Sequence, residues 1–217
     1  MNIKTHWENI HRTKVPTQVS WYQEHSLQSL RFIVNTGIDK AGQIIDVGGG
    51  ISTLADDLLL NGYEHITVLD ISALALNTAQ QRMGTSAKKI TWIEADVTQA
   101  QLPYQFYDVW HDRAVFHFLI DPEDRGRYVN VVKAAVRPGG HVIVATFASD
   151  GPDQCSGLQV ARYAPASLHS EFGNGFELVE STNETHHTPF GTDQKFIYCY
   201  CRKCEPTEVM REDSRFG

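Results

Sequence analysis

Short apolar runs alternate along this chain with longer stretches of helical periodicity. Gln43–Val47, Ile66–Leu69, Lys89–Ile93, Tyr107–Trp110 and His141–Phe147 have the length and β-branched content of core strands. The segments between them repeat apolar residues every three or four positions. Leu54, Leu58 and Leu59 share one side of a helix expected from about Ser52 to Asn61, with Gly62 as its stop. Ser72 is a good N-cap for a helix over Ala73–Met83, and Asp121-Pro122-Glu123-Asp124 opens another that runs through Val136. Five strands separated by helices predict an α/β chain with a doubly wound, mainly parallel sheet.

The flanks follow other patterns. Trp7 and Ile10 could form one contact face of a short helix, and Pro16 interrupts any helix there. Leu27, Leu30, Ile33 and Val34 then fall at helical spacing before Gly37. Residues 1–37 are too polar for a separate domain and are expected to cap the cleft. After the fifth strand comes a loop over Ser149–Gly157, then a short helix over Ala164–Phe172. Gly175–Thr182 and Gln194–Cys201 read as strands joined by a loop holding His186, His187 and Pro189. Without a helical crossover they predict an antiparallel hairpin at the sheet edge. The expected organisation is one domain over 1–217: a cap over 1–37, a core over 43–201 and a polar tail over 202–217.

Composition adds limits. The chain has 217 residues, with 41% apolar and 21% charged residues and a formal charge of −7. That acidity argues against a general nucleic-acid or anionic-membrane surface. No apolar run reaches membrane-spanning length, and MNIKTHWENIHRTKV contains no apolar secretion segment, so a cytoplasmic setting is expected. Cys155, Cys199, Cys201 and Cys204 are too unevenly placed for a secreted disulfide framework. The last three form CxCxxC without a second convincing ligand pair, so reduced thiols are expected rather than a metal site.

The chemistry centres on Asp46-Val47-Gly48-Gly49-Gly50, between the first strand and the first core helix. Glycines let the backbone turn sharply and approach a ligand, and a following helix offers unpaired amides. Asp46 can brace this turn or receive an ammonium group. Asp70 ends the second strand about 20 residues beyond Gly48, a separation suited to ribose hydroxyls. A dinucleotide fingerprint wants a further glycine where Thr53 stands.

With Asp46, Gly48, Gly50, Asp70, Asp96-Val97, Asp108, the Arg137-Pro138-Gly139-Gly140 turn and the late hairpin, the chain resembles the class I S-adenosylmethionine-dependent methyltransferases. Ser52 stands where a third glycine is common. The resemblance covers roughly Gln43 to Cys201. It implies a Rossmann-like sheet of seven strands with an antiparallel last strand, S-adenosyl-L-methionine as cofactor, and methyl transfer as the reaction. It places Asp46, Gly48, Gly49 and Gly50 at the cofactor's amino-acid end, Asp70 and Ile71 at the ribose, and Asp96 and Val97 at the adenine. Trp21 from the cap and His111 are assigned to the cofactor as well.

Trp110–Leu119, WHDRAVFHFL, is the candidate acceptor wall. Asp112, Arg113 and His117 are the candidate catalytic residues. Asp112 would lie near the cofactor's amino-acid part and Arg113 near an anionic acceptor, or the two could pair and brace a loop. His117 could be a base or a packed histidine. Arg12 and His25 are weaker candidates for acceptor contacts, and the His186-His187 pair could simply be solvated. The expected acceptor is a small molecule, a thiol or other soft nucleophile. A protein lysine is the alternative, and a non-enzymatic cofactor-binding domain stands third. No NPPY-type element follows the fourth strand, which disfavours nucleic-acid base methylation. The sequence leaves the oligomeric state open.

Overall fold

The cap begins with α1 (Ile3–Thr13), whose first turn is closed by Asn2 Oδ1 accepting from the Thr5 amide. Pro16 ends the segment after α1 by opening a short 3-10 turn. The second cap helix, α2 (Leu27–Asn35), buries Ser29, Phe32 and Ile33. This computed structural model describes residues 2–205, so most of the tail expected over 202–217 lies outside the described residues.

The core alternates as the apolar rhythm requires: β1 (Gln43–Val47), α3 (Leu54–Leu60), β2 (His65–Asp70), α4 (Ala73–Met83), β3 (Ile90–Glu94), β4 (Tyr107–Arg113), α5 (Pro122–Ala135) and β5 (Val136–Phe147). Then follow a small ribbon of β6 (Gln154–Cys155) and β7 (Leu158–Gln159), α6 (Pro165–Phe172), β8 (Phe176–His187) and β9 (Asp193–Lys203). The main sheet has seven strands in the order β3-β2-β1-β4-β5-β9-β8, and β9 is antiparallel to both neighbours.

Side chains alternate across this sheet into two cores. Ile45, Val47, Trp110 and Val144 meet Tyr128, Val132, Leu168 and Phe172 from α5 and α6. Ile44, Val109, Ile143 and Ala145 meet Phe32, Leu54, Leu58 and Leu76 from α2, α3 and α4. Connections leave β1 and β4 for opposite faces. The sheet therefore opens a crevice beyond the carboxyl ends of these two neighbours, the usual ligand position in this architecture.

Four differences from the expectation bear on the site and its sheet, beside shifts of one or two residues at other element ends. β4 continues through His111, Asp112 and Arg113, because parallel pairing with both β1 and β5 holds those residues in the sheet. Arg137–Gly140 forms an irregularity inside β5, with Gly139 at φ +72°, instead of a turn before it. His186 and His187 belong to β8, paired with Gln194 and Asp193. Arg202 and Lys203 are the end of β9 and not the start of the polar tail.

Candidate cofactor and acceptor site

The turn after β1 needs its glycines for space as well as for conformation. Gly48 adopts φ +70°, and a Cβ there would collide with Val115. A Cβ on Gly50 would stand 2.6 Å from both Asp70 Oδ2 and the Ala75 methyl. The backbone thus comes close to Asp70, whose Oδ2 accepts from the Gly50 amide at 3.0 Å while Oδ1 accepts from the Ser72 amide at 2.8 Å. Each carboxylate oxygen keeps a further lone pair for a ligand. Burial, with Asp46 and Glu8 nearby, raises the Asp70 pKa to about 6 despite these bonds.

Asp46 and His111 face each other across the β1–β4 pairing, with Asp46 Oδ1 and His111 Nδ1 2.7 Å apart. Asp46 Oδ2 and His111 Nε2 are buried without hydrogen-bond partners. A neutral imidazole that donates Nδ1–H to the carboxylate leaves Nε2 as an acceptor. Two orphaned acceptors side by side suit a group rich in donors, such as an ammonium.

At the β3 end, Asp96 Oδ1 accepts from the Thr98 amide at 2.9 Å and from its hydroxyl at 2.7 Å. That caps the turn beginning at Val97, and leaves Oδ2 with only a 3.5 Å contact to Gln99.

These strand ends line a single cavity of about 350 Å³. Trp21, Asp46, Gly48, Gly49, Asp70, Ile71, Asp96, Val97, His111 and Arg113 all contribute to its wall. Gly50 lies behind the wall, holding Asp70. The cap closes the other side. Trp7 packs edge-on against Trp21 at 5.9 Å and Phe118 at 5.1 Å, and stacks on His11 at 6.1 Å. Burial lowers the His11 pKa to about 4, opposed by Glu8. Glu8 also ties α1 to the core, accepting from the Ala73 amide at 2.8 Å. The next cap segment is stitched at Ser26, whose amide donates to Asp57 Oδ2 at 2.8 Å, and at Gln23, whose carbonyl accepts from the Thr53 hydroxyl. Thr53, which spoils the dinucleotide fingerprint, is therefore an anchor for the cap.

Two of the three candidate catalytic residues stand apart from this cavity. Asp112 is fully buried, accepting from the Tyr128 hydroxyl at 2.7 Å and from the Val115 and Phe116 amides at 2.9 and 3.1 Å. Burial raises its pKa to about 6. It braces the loop after β4 from the α5 side, and it does not pair with Arg113. His117 is also fully buried, with Nδ1 accepting from the Phe147 amide at 3.3 Å. Burial and the Arg113 charge lower its pKa to about 3, so it is packed as a neutral ring and has no place on the cavity wall.

Arg113 does reach the cavity. Its guanidinium lies 4.1 Å over the Phe196 ring and donates to Glu184 Oε2 at 3.3 Å. Of the residues with lower standing in the sequence, Arg12 is exposed, and His25 is engaged with Asp57 at 2.7 Å. His186 is buried against the Ser20 carbonyl at 2.8 Å instead of being solvated. Cys155 lines the cavity, and burial raises its pKa. Cys199 and Cys201 are buried with their sulfurs 3.4 Å apart, and the Cys204 thiol meets the Asn174 carbonyl. Among the described residues no group of three or more His, Cys, Asp or Glu has the geometry to hold a metal.

Sequence reasoning missed Trp7, His11 and Phe118 as one aromatic roof, Gln194 and Phe196 on the far wall, and Glu184 as the partner of Arg113. Trp7 carried a signal as a helix contact, and Phe118 lies in the WHDRAVFHFL segment already marked as the acceptor wall. The others come from segments distant in the chain, and no local pattern marks them.

Comparison with known proteins agrees with this geometry. A methyltransferase-domain family matches residues 44–140. EEF1A lysine methyltransferase 2 of Danio rerio is 24% identical over 193 residues, spanning 82% of this chain and 77% of that protein. An uncharacterised methyltransferase of Mycobacterium bovis is 33% identical over 104 residues, 48% of this chain and 50% of that one. The chain thus spans about half the length of this second relative. A solved structure concerned with conversion of a disulfide bond into a thioacetal group during echinomycin biosynthesis superimposes with TM-score 0.77 at 15% identity, covering 96% of this chain and 94% of its own. The glycine turn, the acidic strand ends, the seven-stranded sheet and these relatives support one assignment, to the class I S-adenosylmethionine-dependent methyltransferases, with the family match itself confined to residues 44–140.

Proposed function

We propose that this S-adenosylmethionine-dependent methyltransferase acts on the side-chain amine of a protein lysine. The observation that carries this choice is the likeness to EEF1A lysine methyltransferase 2, which runs through most of the chain.

The orphaned acceptors of Asp46 and His111 fit the ammonium of the cofactor's amino-acid part. Asp70 fits its ribose hydroxyls, Asp96 Oδ2 and the Val97 amide its adenine, and Trp21 its open side. S-adenosylmethionine supplies an electrophilic methyl group when bound, so alignment and shielding are the main tasks left to the protein.

The acceptor wall favours a neutral amine. Trp7, Trp21, Phe118 and Phe196 offer apolar surface to an aliphatic stem, and Glu184 is engaged with Arg113 and Gln23. Apolar surroundings disfavour the protonated amine, which lets the nitrogen keep its lone pair for attack. No base is needed once that proton has left to solvent.

The cavity also supports a second reading, methyl transfer to a small soft nucleophile, since about 350 Å³ suits a small molecule. Incubation of cell extract with radiolabelled S-adenosylmethionine and the purified enzyme separates the two. Label recovered as methyl-lysine after protein hydrolysis supports the first. Label confined to small extractable compounds rejects it in favour of the second.

A further inference from the structure

The β5–β9 side of the cavity holds polar groups that the cofactor assignment leaves unused. Arg113 has a side chain only 9% exposed, and its Nε is buried without a partner although Nη2 reaches Glu184. Gln194 is 8% exposed, lines the same cavity, and has its Oε1 buried without a partner. Gln194 and Phe196 alternate onto one face of β9, and the Phe196 ring carries the Arg113 guanidinium. A donor and a carboxamide thus line the same cavity, the donor lying over the Phe196 ring.

Charge narrows the occupant. Glu184 offsets Arg113, so this wall offers no net charge to hold an ion. A neutral group with a hydrogen-bond acceptor beside a donor satisfies both side chains at once, and an amide has that pattern. An apolar occupant would leave both polar groups unpaired.

Resting on the reading that the acceptor sits in this cavity, we propose that Arg113 and Gln194 form an amide-recognition subsite. It takes a peptide bond or a carboxamide attached to the methyl-accepting group. Arg113 Nε–H donates to the amide carbonyl, and Gln194 Oε1 accepts from the amide N–H. Such a pair would select acceptors by what adjoins the reacting atom.

Two pairs of probes test this on the full chain loaded with S-adenosylhomocysteine, read by ligand-observed NMR titration. Nα-acetyl-lysine N-methylamide is compared with pentylamine, and N-acetylcysteamine with propanethiol. Two hydrogen bonds predict roughly tenfold tighter binding of the amide-bearing member. Gln194→Leu is expected to erase that preference with S-adenosylhomocysteine affinity unchanged. Gln194→Met repeats the test if the leucine variant melts early. Preference within the amine pair supports the subsite with a peptide occupant. Preference within the thiol pair alone supports the subsite with a small carboxamide, and counts against the lysine reading. Equal affinities within both pairs, binding too weak to measure included, overturn the subsite, as does a preference that survives loss of Gln194.

Discussion

Asp46 and His111 are register partners on neighbouring parallel strands, each 2% exposed, joined at 2.7 Å and each retaining one orphaned polar atom. A polar pair this deep is costly unless something completes its hydrogen bonds. Its position explains why it is tolerated. β1 and β4 are where the connections part to opposite faces, so the pair borders a ligand crevice instead of a packed core.

Asp70 is expected to make cofactor affinity depend on pH. Its pKa stands at about 6, and a ligand that hydrogen-bonds to the ionised form competes with the proton below that value. Affinity for S-adenosylhomocysteine is expected to fall about tenfold from pH 7 to pH 5. Asp70→Asn should bind weakly with a flat profile, as measured by calorimetry at several pH values. The sign for folding is opposite. A carboxyl raised in the folded state contributes stability that is fully present below its unfolded pKa, and loses it as pH rises through about 6.

Asp112→Ala should damage folding more than chemistry. It removes the acceptor for the Tyr128 hydroxyl and two amides, all in the core. Orphaning these donors predicts a loss of about 3 kcal/mol, read from chemical denaturation. A variant as stable as the parent, but inactive, would return Asp112 to the catalytic list.

His117→Asn tests the packed-histidine assignment, since an amide oxygen can still accept from the Phe147 amide. A ring whose pKa is held at about 3 stays neutral at working pH, so the variant's pH–activity profile should match the parent's. Loss of one limb of that profile would restore His117 as a base. Its depressed pKa gives stability that is present above the unfolded value of 6.5 and lost as pH falls towards about 3. The variant should accordingly lose less stability in acid.

The sequence marked most of the residues on the glycine-turn side of the cavity because their signals are local. A glycine turn, an acidic strand end and a helix cap such as Ser72 each follow from a few adjacent residues, and Ser72 Oγ does accept from the Ala75 amide at 3.1 Å. The WHDRAVFHFL segment was harder to read. β4 was expected to end at Trp110, yet sheet pairing carries it to Arg113, and alternation sends His111 and Arg113 to the cavity side but Asp112 towards Tyr128. Glu184 and Gln194 join Arg113 only through the β8–β9 hairpin, a tertiary relationship that no periodicity encodes.

Arg113→Ala should spare the cofactor and impair the acceptor. Its side chain lies on the β5–β9 side of the cavity, against Phe196 and Glu184. The expected result is unchanged S-adenosylhomocysteine affinity with a large fall in kcat/KM for the acceptor found in extract. Equal activity of variant and parent would contradict that role.

Calorimetric titration of the purified chain with S-adenosylmethionine, run beside NADH, tests the central claim most directly. The strand-end acids and the glycine turn predict saturable binding of S-adenosylmethionine that Asp70→Ala sharply weakens, with no response to NADH. Binding of NADH alone, or of neither ligand to a folded sample, would contradict it.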